Sequence, residues 1–227
     1  MNYLLSVCLI ALAIASSAMP AAVSQAPAMR QGVTVQLAPT SNATPMPEAD
    51  SEDAWIVAVT ADGRIYFGTE PVTPASLADE MIARPRNRDA TLYIKADARA
   101  SFGDVEKVLN VAKPDLFESA VLLTNQSETP ALGKLVAPKG LEVVLTSPSS
   151  DAVVVELHNS AQPRPSLKVN HREIAASNLQ AALNQSLQNR PDRVVEIRAE
   201  GSLPFAQVAQ VIDACTSVKA KVVLLTE

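Results

Sequence analysis

Histidine, cysteine, glycine and aromatic side chains are all scarce in this chain of 227 residues, and each shortage removes a class of chemistry. The two histidines, His158 and His171, lie thirteen positions apart with no neighbouring cysteine and no His-x-x-x-His spacing, a poor donor set for a metal. They read as solvated surface residues. Cys8 stands in an apolar leader and Cys215 inside an expected helix, so there is no disulfide framework and no metal-binding Cys pair. Cys215 reads as a small apolar core residue. The 7 glycines form no phosphate-cradling loop, and no Gly-x-Ser-x-Gly nucleophile turn occurs. Aromatics at 4% within a hydrophobic share of 48% make for an aliphatic core. A net charge of -5 and a pI near 5.1 supply no basic excess to hold a phosphate backbone, which argues against nucleic acid as a partner.

What the chain does contain is a repeat. "VEIRAEGSLPFAQVAQVIDACTSVKAKVVLLT" (Val195–Thr226) follows "LYIKADARASFGDVEKVLNVAKPDLFESAVLLT" (Leu92–Thr124) at an offset of 103 positions, with one gap. Ala96 falls on Ala199, Asp97 on Glu200, Phe102 on Phe205, Val105 on Val208 and Val108 on Val211. Two copies of roughly 100 residues each suit two small domains.

Local signals set the order of elements. In copy one, "WIVAVT" and "RIYF" flank the turn "ADG", so Trp55–Phe67 reads as a β-hairpin. Thr73 caps a helix with Pro74 at its first position and Leu77, Met81 and Ile82 on one face. "TLYIKA" is a strand, Ser101 and Asp104 form a capping pair ahead of the stripe Phe102, Val105, Val108, Leu109 and Ala112, and "SAVLLT" closes. Copy two repeats this with "AVVVEL", "LKVN", a helix carrying Leu179, Ala182, Leu183 and Leu187, "VVEIRA", a helix carrying Phe205, Val208, Val211 and Ile212, and "KVVLLT". The expected fold is α+β: two tandem β-β-α-β-α-β domains, each with two helices on one face of a small mixed sheet.

The expected boundaries are 55–124 for the first domain and 152–227 for the second. A linker over 125–151 holds a short strand at 141–146, within the stretch that opens "GLEVVL" at Gly140. That stretch stands before copy two as "GVTVQL", an expected strand at 32–37 in the Pro/Ala/Ser-rich tether 19–54, stands before copy one. Residues 1–18 read as a signal peptide or a single membrane anchor, because the apolar run is short for a hydrocarbon core of about 30 Å and ends in small residues.

Catalytic side chains are few. Asp97, just past a buried strand, has Asp104 and Glu106 near it on the next helix, and paired carboxylates can do acid/base work where burial separates their pKa values. Copy two has Glu200, Ala206 and Gln207 at the corresponding places, so the set is not repeated. No catalytic, cofactor-binding or metal-binding residue is expected.

The motifs Asp62-Gly63-x-Ile65-Tyr66, Val72-Thr73-x-x-x-Leu77, Ile94-x-Ala96-Asp97 and Phe102-Gly103-x-Val105 resemble the periplasmic domain of the ExbD/TolR family. The likeness runs over about Gly32–Thr124 in residues, and over Gly140–Thr226 in pattern. It implies a non-enzymatic accessory protein of proton-motive-force-driven biopolymer transport, working beside an ExbB/TolQ-like membrane protein and a TonB/TolA-like transducer. It also implies a place in the bacterial envelope, anchored in the inner membrane with periplasmic domains, or free in the periplasm if the leader is cleaved. Asp97, Asp104 and Tyr66 are then candidates for partner contact or structure. The family's membrane helix carries an Asp, because an ionisable group in hydrocarbon is costly and is kept where protons move. Residues 1–28 contain no Asp, Glu or Lys, and the corresponding place falls near Ala13, so this chain is expected to lack its own proton-carrying Asp.

Two other readings stand beside this one: a non-motor module that binds peptidoglycan or an envelope protein, and, weakest, a small enzyme using Asp97. A unit with both helices on one sheet face leaves its other face and a strand edge uncovered. The copies are therefore expected to pair as a pseudo-dimer within the chain, or the chain to form a homodimer, and either short strand could add to the edge of its own or its neighbour's sheet.

Overall fold

The computed structural model describes residues 32–83, 91–112, 116–125, 136–145, 151–162 and 164–225; the leader 1–18, most of the linker 125–151 and the tether up to residue 31 lie outside these. Short apolar runs such as Trp55–Val59 and Ser119–Thr124 give the strands, and the 3.6-residue stripes give the helices. In chain order the elements are β1 (Thr44–Pro45), β2 (Trp55–Val59), β3 (Ile65–Phe67), β4 (Glu70–Val72), α1 (Pro74–Ala83), β5 (Leu92–Ala96), α2 (Phe102–Ala112), β6 (Ser119–Thr124) and β7 (Lys139–Val144). Then follow β8 (Val153–His158), β9 (Ser166–Val169), β10 (Arg172–Ile174), α3 (Leu179–Leu187), β11 (Val194–Ala199), α4 (Phe205–Ser217) and β12 (Lys221–Leu224). No helix among the described residues is long and apolar enough to cross a membrane.

The twelve strands among the described residues belong to one sheet, in the order β10-β9-β8-β11-β12-β7-β6-β5-β2-β3-β4, with β1 pairing to β7. The order is a palindrome about β7. Within each half, β2, β5 and β6 run parallel, as do β8, β11 and β12, while the outer hairpin strands are antiparallel. The two halves thus share a two-fold-like arrangement, with β7 antiparallel to β6 and parallel to β12.

Side chains of alternate strand positions, among them Val57, Ile94, Leu122, Leu141, Val155 and Ile197, face the helices and merge with Phe102, Val105, Leu109, Phe205, Val208 and Ile212 into one core that spans both copies. Burying each such side chain contributes about 1.5–3 kcal/mol. Cys215 lies in that core, where burial pushes its thiol up to about 12. The capping signals act as the sequence suggests. Thr73 Oγ1 accepts the Ser76 N–H at 3.1 Å, and Ser101 Oγ accepts the Asp104 N–H at 3.2 Å while donating to Asp104 Oδ2 at 2.6 Å.

Four details differ from the sequence reading. Each copy has a third short strand before its first helix, β4 and β10, making the order β-β-β-α-β-α-β. Ile82 is 70% exposed near the end of α1 instead of sharing the face of the buried Leu77 and Met81. "GVTVQL" is not a regular strand: of its residues only Leu37 makes a bridge, to Asp97. Its counterpart "GLEVVL" is β7, beginning at Lys139 and lying between the two copies.

Candidate functional site

Residues 36–42 run as a strap across the C-terminal ends of β5 and β6. The Ala98 N–H donates to the Gln36 carbonyl at 2.7 Å, and the Gln36 N–H donates to Asp97 Oδ2 at 2.9 Å. The Asn125 N–H donates to the Ala38 carbonyl and the Thr40 N–H to the Asn125 carbonyl, both at 2.9 Å. The strap then reaches copy two: the Ser41 and Asn42 N–H groups donate to the Asp213 carboxylate on α4, at 3.1 and 2.7 Å, and Asn42 Nδ2 donates to it at 3.0 Å. Beyond the strap, Met46 and Ala49 close over Tyr93, Val121 and Leu123 on the helix-free face of copy one.

Asp97 anchors this arrangement. It is 2% exposed and accepts from Gln36 N–H, Arg99 N–H (3.0 Å), Arg99 Nε (2.9 Å) and Arg99 Nη2 (3.0 Å). The Arg99 hydrogen bond, aided by the two backbone donors, outweighs burial and holds the carboxyl well below the usual carboxylate range. A carboxylate so committed stays ionised at neutral pH, with its lone pairs directed at the strap and at Arg99.

Asp104 caps α2 and takes Lys107 Nζ at 2.8 Å. Burial raises its pKa, but the bonds from Lys107 and Ser101 bring it below the ordinary value. The hairpin turn lies directly on it: Gly63 has φ +78°, and a Cβ there would come within 2.6 Å of Asp104 Oδ2. The positive φ favours glycine at that position, and a Cβ there would have to displace the Asp104 carboxylate. Tyr66 sits half-buried on β3, between the core residues Ile65 and Phe67 and paired with Ala58, so it belongs to the helix-free face, away from Asp104. Asp97, Asp104 and Tyr66 therefore do not converge on one site.

The copies meet in the helix layer through a reciprocal set of backbone bonds. The Phe102 N–H donates to the Leu203 carbonyl (2.7 Å), and the Phe205 N–H donates to the Ala100 carbonyl (2.8 Å). The Gly103 N–H donates to the Gly201 carbonyl (2.9 Å), and the Ala206 N–H to the Ala98 carbonyl (3.0 Å). Every bond maps onto its mate under the 103-residue offset, with Ser101 facing Pro204 at the centre. The first N–H groups of α2 and α4, which no preceding turn can satisfy, are thus taken by the other copy.

At the corresponding end of copy two, Glu200 stands in place of Asp97. It is 45% exposed on its side chain and accepts from His158 Nδ1 (3.1 Å) and the Asn159 N–H (2.9 Å), which lower its pKa, the Asn159 bond most. Among the described residues no strap crosses there. Instead a cleft of about 470 Å³ opens between Leu157, Ala199, Gly201, Leu225 and Glu106 of α2. Among the described residues no cluster of three or more His, Cys, Asp or Glu side chains is placed to hold a metal.

Reasoning from sequence found Asp97 and Asp104 but missed Asp213, Gln36 and Gly201. The constant offset, which sets Gly201 on Ala98 and Asp213 on Asn110, carried the signal for those two, and nothing local pointed to Gln36. Comparison with known proteins adds a family match: residues 5–127 and 121–227 each match the family model described as Biopolymer transport protein ExbD/TolR. No curated protein and no solved structure matches the chain.

Proposed function

Because this chain belongs to the ExbD/TolR family, we propose that it is a cell-envelope accessory protein of proton-motive-force-driven biopolymer transport that acts through protein contacts of its paired copies. The family is one of non-enzymatic transport accessory proteins associated with the envelope. The observation that carries this reading is the double family match on a chain whose two matched stretches meet in one sheet and one reciprocal seam. One chain then supplies both halves of a pair. Its partners in this reading are an ExbB/TolQ-like membrane protein and a TonB/TolA-like transducer, reached from an inner-membrane anchor or, with the leader removed, from the periplasm. Asp97 and Asp104 serve the fold and its contacts, and Tyr66 is offered as a contact residue on the helix-free face.

Proton coupling comes from a partner in this account, since residues 1–28 hold no carboxylate. Expression of the full chain in a strain lacking its ExbD or TolR tests both parts. The reading predicts co-purification with the polytopic ExbB-like protein and no recovery of energy-dependent uptake. Recovery would show that the chain couples protons itself, and failure to co-purify would remove the motor association. The missing carboxylate also favours a second reading, a non-motor module that grips peptidoglycan or an envelope protein. Sedimentation of the full chain with cell-wall sacculi, without the ExbB-like protein, would support that one instead.

A further inference from the structure

We propose that a cavity on the helix-free face of copy one binds a single amphiphile with an apolar tail and a zwitterionic headgroup, phosphate and ammonium together. The inference goes beyond the transport reading and does not depend on it.

The segment that carries Met46 and Ala49 covers the apolar face of copy one, but the cover has a gap. Between that segment, the strap and the returning chain at 136–139 lies a cavity of about 380 Å³. Leu37, Ile56, Leu123 and Val136 form its apolar wall. Leu37 and Ile56 pack only partly buried against the cluster of Tyr93, Val121 and Leu123. Val136 is 46% exposed, one of two large hydrophobic side chains left so open among the described residues. Apolar surface gains by leaving water, so a hydrocarbon tail lying on these four side chains would complete the cover that the chain leaves unfinished. The volume falls in the range of small-ligand sites, which join an apolar wall to a few placed polar groups.

Two charges of opposite sign line the same cavity. Lys95, on β5, gives one of its three N–H donors to the Val33 carbonyl at 3.0 Å and makes no ion pair among the described residues. A carbonyl does not balance its charge, and two donors remain. Asp50, in the turn Pro47–Asp50, is exposed, and its carboxylate has no hydrogen bond or ion pair among the described residues. Lys139 also lines the cavity but already has an interaction of its own. A cation and an anion beside one apolar wall suit a headgroup that carries both, its phosphate on Lys95 and its ammonium on Asp50. An uncharged headgroup gains from neither, and a purely anionic one is repelled by Asp50.

The test titrates the full chain with decylphosphocholine, kept below its micelle concentration, and with decyl maltoside, which has the same tail and an uncharged head, followed by amide chemical shifts. The expected result is saturable shifts at Ile56, Lys95, Leu123 and Val136, with the phosphocholine binding about fivefold more tightly, as charge pairing at a partly exposed site gives. Lys95→Met keeps the apolar stem and should remove that preference, and Asp50→Asn should reduce it, with thermal midpoints as the check on folding. Val136→Asp, at an exposed position, should weaken both ligands. Equal affinity of the wild type for the two amphiphiles would overturn the proposal, as would a preference that survives Lys95→Met. So would shifts confined to residues outside the cavity, or binding that begins only at the micelle concentration.

Discussion

Copy one and copy two have the same order of elements but protect their sheets by opposite means. In copy one the helix-free face is apolar, with Tyr93, Val121 and Leu123 on it, and the chain's own residues 37–54 cover it. In copy two the same face is a ladder of charge. Glu156 pairs across strands with Lys168 and with Arg198, Lys168 with Glu173, and the buried Glu196 is held by Arg198. Opposite charges side by side stabilise a sheet surface without the apolar contacts that copy one uses. The difference extends to the sheet ends: Asp97 is buried under a strap, Glu200 is half-open in a cleft. Among the described residues, then, the Asp97 end of copy one is covered and the Glu200 end of copy two is open.

The largest expected effect lies at the seam, where both copies depend on each other. A Cβ at Gly103 would stand 3.3 Å from the Gly201 carbonyl oxygen, a backbone atom that cannot easily yield. Gly103→Val should therefore cost about 1–3 kcal/mol by overpacking and lower the melting temperature of both halves together. Separate melting of the two copies would break the picture of one shared core.

Next comes the contrast of the two acids. Asp97→Ala strands the Gln36 and Arg99 N–H groups and should cost about 1–3 kcal/mol. Glu200→Ala touches exposed partners and should shift the denaturant midpoint little. The pH dependence sharpens this. Because the folded-state pKa of Asp97 is lowered, its contribution is complete above the unfolded carboxylate value of about 4 and is lost as pH falls below that towards the folded value. The stability gap between the wild type and Asp97→Asn should accordingly be widest at neutral pH and shrink on acidification below pH of about 4. A gap that grew in acid would contradict the ionised assignment.

The smallest effect is at the strap's far end. Asp213→Ala removes acceptors for the Ser41 and Asn42 N–H groups and should cost about 0.5–1.5 kcal/mol, with faster hydrogen exchange at those two amides and no change at Phe205.

Much of this was legible in the sequence, and what was not has physical causes. The offset that joins Phe102 to Phe205 and Asp97 to Glu200 revealed two units, and the stripes on α2 and α4 revealed which face each helix buries. The strands β4 and β10 escaped because Glu-Pro-Val and Arg-Glu-Ile are three residues long and show no usable alternation. "GVTVQL" and "GLEVVL" share the alternation of a strand, but alternation reports strand competence and not which edge is free to receive it. The seam was hidden because it is made of backbone groups, which leave almost no trace in side-chain identity beyond Gly103 and Gly201. Asp97 was legible as a strand-end acid, yet its partner Gln36 lies 61 positions away, and no local rule connects them.

Hydrogen exchange at four amides of the full chain tests the central claim, a chain paired with itself through its seam and strapped at the Asp97 end. The account predicts strong and similar protection for Phe102 and Phe205, whose N–H groups bond reciprocally across the seam, strong protection for Ala98 under the strap, and fast exchange for Gly201. Equal protection of Ala98 and Gly201, or fast exchange at either phenylalanine, would contradict it.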